Sequence, residues 1–196
     1  MHDILGGPNP STRAMTGIVN NRKIAGLLPF AKPNSIINPV QVTSKDKIPF
    51  LIGLGGAITN VFQTRTGWTQ LASGSALRRL MFGTIMVLDD ELTEGHEPGS
   101  NLIGKAQGFY VFSSIDGNSQ SIAFTAMFKS GNYIDSLSFF GVHRSGVSES
   151  RLAIMGGTGK YVNAKGYAKV KTMLSSDHQV TYGRETVLEF LTYVTY

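Results

Sequence analysis

The chain has 196 residues, with eleven Phe, seven Tyr and one Trp, only 16% charged residues, and no Cys. These counts exclude a Cys-based zinc site or disulfide framework. They also argue against disorder, because 41% of the residues are hydrophobic. No apolar run is long enough to predict a membrane-spanning helix. The net charge of +5 is uneven: residues 1–80 hold nine Lys/Arg against Asp3 and Asp46, while the remainder is slightly acidic. No basic run there exceeds two residues, so the excess does not form a nucleic-acid footprint.

The chain opens on His2-Asp3-Ile4-Leu5, a short strand-like piece with no signal-peptide pattern. Two compartments stay open on this evidence: a cytosolic protein, or a mature or trimmed form of a secreted one. An acid inside an apolar strand sits at an edge or points into a pocket. If buried, its pKa rises and it can serve as a general acid. Thr16–Val19 is a second early strand piece. Residues 20–78 then read as a Pro/Asn/Gly-rich insertion or arm, since six of the seven prolines fall within the first 50 residues. The whole of 1–196 is read as one domain carrying this arm.

From residue 81 the texture turns to strands: Met81–Leu88, Ala106–Ser113, Ile122–Phe128, Ile134–Val142, Arg151–Met155, Tyr161–Thr172 and Thr186–Thr195. Period-2 alternation marks several of them, as in Ile122, Phe124, Ala126 and Phe128. Asp116-Gly117-Asn118, Ser130-Gly131-Asn132 and Gly156–Gly159 supply turns. The spacing predicts an all-β, antiparallel meander, a sandwich or an up-and-down barrel. Eight strands would close around one small ligand.

Few motifs carry chemistry alone. Gly53–Gly56 lacks the Lys-Ser/Thr of a phosphate loop, and Gly156–Gly159 lies between strands, so both read as turns. The acids Asp89, Asp90, Glu91, Glu94 and Glu97, with His96, fit no cation loop. They read as exposed residues following a strand. No Gly-x-Ser-x-Gly elbow accompanies the four His. His143 ends an apolar strand, where a barrel rim would bring it to a ligand, although a solvated strand end explains it as well.

The pieces His2-Asp3-Ile4-Leu5, Phe82-Gly83 with Val87 and Asp89-Asp90, Gly104-Lys105-Ala106-Gln107-Gly108-Phe109-Tyr110, and Gly156-Gly157-Thr158-Gly159 occur in one order along the chain. In them the chain resembles the plant dirigent proteins. The long insertion, with Asp90-Glu91-Leu92-Thr93-Glu94-Gly95-His96 and Phe139–Arg144, is similar to the branch associated with the Casparian strip and endodermal lignin. The resemblance implies an eight-stranded antiparallel barrel of the dirigent and allene oxide cyclase type, often trimeric (a homodimer being the alternative), secreted to the apoplast and cell wall. It implies no cofactor or metal. A separate laccase or peroxidase would make monolignol radicals, and the barrel would hold them so that coupling is selective in lignan or lignin formation. Asp3 would be an acid, and Tyr110, beside Phe109, a pocket residue. His143 stands where lignan-forming members carry Asp, and is a candidate second acid/base. Ser150 stands where they carry Arg, with Arg151 one place later. A one-residue step along a strand changes faces, so Arg151 reaches the pocket only through a bulge. Asp3, Tyr110 and His143 are expected to converge on one cavity. Two other functions stay open: a dehydratase closing a ring on an isoflavanol-like phenolic, and a non-catalytic wall scaffold.

Overall fold

The structure, a computed structural model, describes residues 1–5, 9–19, 30–33, 63–64, 67–68, 82–97, 99–173 and 184–196. Its strands are β1 (His2–Leu5), β2 (Thr12–Ala14), β3 (Thr16–Val19), β4 (Phe30–Pro33), β5 (Gln63–Thr64), β6 (Gly67–Trp68), β7 (Ile85–Thr93), β8 (Leu102–Phe112), β9 (Ser119–Phe128), β10 (Ser136–Arg144), β11 (Ser150–Thr158), β12 (Lys165–Met173) and β13 (Arg184–Thr195). β7 to β13 run as an antiparallel meander, and β1 and β2 close it into a barrel. Most of the region 20–78 lies outside the described residues. Within it, β4 pairs in parallel with β3, and β5 pairs with β6.

Alternation builds the wall. In β7 the buried positions are Met86, Leu88, Asp90 and Leu92, and in β9 they are Gln120, Ile122, Phe124 and Ala126. Each strand sends every second side chain inward. β7 starts later than the sequence pattern suggested and runs on through the acids to Thr93. The predicted Tyr161–Thr172 strand also starts later, because Gly159–Tyr161 is a 3-10 turn.

The closing stave is split. β1 pairs with β13 over four residues, but with β7 only at His2↔Glu91. Further along, Leu5 pairs in parallel with Thr12, and β2 takes over the ladder to β7. The barrel therefore has eight staves at the level of His2 and nine at the level of Leu5. Beside that single β1–β7 pairing, the His2 side chain ties β1 to both of its neighbours, β13 and β7. His2 Nδ1 lies 2.6 Å from Glu185 Oε1, and its Nε2 lies 2.8 Å from Thr93 Oγ1.

Candidate functional site

The cavity is built from aromatic residues of facing strands. Phe124 and Phe139 are paired across the β9–β10 ladder and stack at 5.0 Å between centroids, with Phe190 edge-on to Phe124 at 5.5 Å. With Leu92, Leu137 and Leu188 they line an open cavity of about 270 Å³ at one end of the barrel. Such contacts contribute roughly 0.5–1.5 kcal/mol per aromatic pair beyond burial. They present ring faces and edges suited to an aromatic guest.

Two carboxyl groups lie one step deeper. Asp90 follows Leu92 inward along β7, and Asp3 follows Met1 along β1; Leu92 and Met1 both line the cavity. Two residues along a strand is about 6.6 Å. Asp3 and Asp90 are both 0% exposed, as is Tyr110. Asp90 is pushed up to about 8, first by burial and then by the charge of Asp3. Hydrogen bonds from Ser11 and Thr12 oppose that rise. Burial, followed by the charges of Asp3 and Asp90, holds the Tyr110 phenol well above its ordinary value, so it is a neutral donor. The three groups thus sense one another inside the barrel.

Asp90 is held on one side only. Ser11 Oγ donates to Asp90 Oδ1 at 2.6 Å, and Thr12 Oγ1 donates to the same oxygen at 3.4 Å. Asp90 Oδ2, the Tyr110 hydroxyl and both amide atoms of Gln120 have no hydrogen-bond partner among the described residues. Buried polar atoms are nearly always partnered, by protein, ordered water or a ligand, so these atoms mark a polar spot in the barrel interior that water or a guest can fill.

The sequence-predicted residues divide. Asp3 and Tyr110 are buried together in mid-barrel, just below the cavity. His143 also points inward, 2% exposed, but it stands further along β10, opposite Gln120 and 3.3 Å from Thr172 Oγ1. None of Asp3, Tyr110 and His143 is among the residues lining the 270 Å³ cavity, so the three do not meet there. Ser150 is buried, and its hydroxyl accepts from Arg144 N–H at 2.8 Å. Phe109 and Arg151 are corrected. Phe109 is 47% exposed on the outer wall, because it is one residue out of phase with Tyr110. Arg151 is exposed as well, beside Glu149 and 5.6 Å over the Tyr167 ring. The β10–β11 bulge falls at Ser138/Phe139, opposite Met155, and leaves the phase at residue 151 unchanged.

Asp90 was missed. Three consecutive acids read as a solvated run, yet β7 alternates straight through them, with Asp89 and Glu91 exposed and Asp90 inside. The signal was present: Met86, Leu88 and Leu92 share its phase. Among the described residues no group of His, Asp and Glu could hold a metal ion.

Residues 58–195 match the family model described as "Dirigent-like protein". The chain is 53% identical to Dirigent protein 25 of Arabidopsis thaliana, over all of this chain and 58% of that protein. It is also 53% identical to Dirigent protein 10 of the same plant, over all of this chain and 51% of the relative. The chain therefore spans little more than half the length of these relatives. Among solved structures, the pterocarpan synthase dirigent protein GePTS1 aligns with a TM-score of 0.57 at 25% identity, covering 96% of this chain and 81% of that one.

Proposed function

The chain belongs to the dirigent family, and from that footing we propose that its barrel binds phenylpropanoid (monolignol) radicals and directs their stereo- or regioselective coupling toward lignans or lignin. The supporting observation is the aromatic cavity at Phe124, Phe139 and Phe190 with two buried acids one step beneath it. One-electron oxidation is supplied by a separate laccase or peroxidase in the cell wall. The barrel contributes position: a chiral wall of aromatic and aliphatic side chains, with Glu94, His96 and Glu189 also in the lining, exposes one face of each radical. Coupling leaves an electrophilic quinone methide; a neutral carboxylic acid beneath the rings protonates its oxygen as a guest hydroxyl adds to the methide carbon, and the proton that hydroxyl loses returns to the carboxylate. Copies of the chain associate into a trimer or a dimer through the outward-facing aromatic residues Phe109, Phe140, Tyr167 and Tyr193.

The test is coniferyl alcohol with a one-electron oxidant, with and without the protein, read on a chiral column. An enantiomeric excess that appears only with the protein is expected. Racemic product throughout sinks this reading and leaves a wall scaffold. A second reading is favoured by the likeness to a protein called a pterocarpan synthase. The same acids would then dehydrate an isoflavanol-like phenolic, with turnover in the absence of any oxidant.

A further inference from the structure

One hydroxyl at the barrel seam performs two tasks. Ser11 Oγ accepts the Ile4 N–H of β1 at 2.9 Å and donates its own proton to Asp90 Oδ1 of β7 at 2.6 Å. A longer contact to the His2 carbonyl, at 3.3 Å, competes for that same proton. The short bond to the carboxyl is the stronger. This is where the β1–β7 ladder has a single pairing, so Ser11 stands in for a missing rung. It ties the backbone of the strand carrying Asp3 to the side chain of the second acid.

We infer that Ser11, seconded by Thr12, is a positioning residue that fixes which oxygen of Asp90 carries the proton. Both hydroxyls address Oδ1, and an oxygen accepting two donors serves as the carbonyl oxygen of a neutral acid. The acidic proton then sits on Oδ2, the buried oxygen with no partner among the described residues. The groups facing this carboxyl are Asp3 from β1, Tyr110 from β8, the two hydroxyls, and the amino group of Met1. His2 and Glu185 pair with each other at the seam. The inference rests on the proposed use of a buried acid, and it names what orients that acid.

The test is infrared difference spectroscopy of the protein titrated from pH 5 to 10. A carboxylic C=O band that disappears with an apparent midpoint near 8 in the wild type, and is absent in Asp90→Asn, is expected. In Ser11→Ala the band should move to higher frequency, and its midpoint should rise by roughly one unit, because a charge-stabilising hydrogen bond is lost. Ser11→Thr should restore both. Thr12→Val, which deletes the longer bond, should produce a smaller shift of the same sign and keeps the test alive if Ser11→Ala does not fold. A band absent from the wild type, or one that neither Ser11→Ala nor Thr12→Val moves, overturns the inference. The coupling assay is independent of it. A band behaving as expected in a protein that yields racemic product sinks the coupling reading alone. A stereoselective protein with an unmoved band sinks this inference alone.

Discussion

At the scale of the residue, Asp90 makes the protein's stability depend on pH in an unusual direction. Most carboxylates in folded proteins are held below their ordinary value and stabilise the fold once ionised. Asp90 is raised from 3.8 to about 8 by burial and the charge of Asp3. Its contribution is therefore complete below the ordinary carboxyl range, and is lost as pH rises from about 4 to about 8. Asp90→Asn keeps the shape and removes the titration. Urea midpoints of the two proteins should converge near pH 4 and separate by pH 8.5, with the Asn variant ahead by on the order of a few kcal/mol. Parallel midpoints across that range would show that Asp90 is ionised throughout. The two acids were unequally legible. Asp3 stood alone in a short apolar piece and drew notice. Asp90 was hidden by Asp89 and Glu91, whose charges made the triplet look solvated although the alternation of Met86, Leu88 and Leu92 already assigned it to the inner face.

At the scale of the element, parity settles most of what the sequence left ambiguous. The existence of seven long strands was legible because apolar residues recur with period 2. The split closing stave was not, because it depends on a single hydroxyl and a parallel pairing at Leu5↔Thr12, which no local pattern announces. Parity also explains why Phe109 and Arg151 left the pocket while Tyr110 and Ser150 stayed inside. Glycine has a particular place in β8. A Cβ at Gly108 would collide with the carbonyl of Ala123 and the Cα of Phe124 on β9. Backbone, not a flexible side chain, stands in the way, so the strands would have to part. Gly108→Ala should therefore cost about 2 kcal/mol or more in chemical denaturation. The same change at Gly146, where a Cβ meets nothing within 4 Å, should fall within about 0.5 kcal/mol of wild type. Equal effects at the two sites would mean that β8 and β9 do not approach as closely as drawn.

At the scale of the whole molecule, the outer wall offers what the interior does not explain. Val87, Phe109, Ala123, Phe140, Ala153, Tyr167 and Tyr193 lie in register across seven consecutive strands. Phe109 and Phe140 are 47% and 51% exposed. Large and small residues alternate from Phe109 to Tyr167, so the row has ridges and hollows of similar width. A second copy can fit the ridge at Phe140 into the hollow at Ala123 or Ala153. Among the described residues the closed barrel has no long free edge to pair with another sheet, so the proposed association would be by face packing. At the Tyr end, Arg151 and Lys169 stand 5.6 and 5.7 Å from the Tyr167 and Tyr193 rings and cover part of the row. The Phe109–Phe140 end is open, and the proposed association would use it. Sedimentation velocity at micromolar concentration should find the wild type as an oligomer. Because the contact is apolar, the oligomer should persist in roughly 1 M salt, where surface ion pairs are screened. Phe140→Glu should sediment as a monomer, since each interface would then bury an unpaired carboxylate. Phe140 points away from the cavity, so this monomer should still bind coniferyl alcohol. A Phe140→Glu protein that sediments like the wild type would show that the row is not the contact. One that loses both assembly and binding would show that the barrel needs its neighbours to keep its shape.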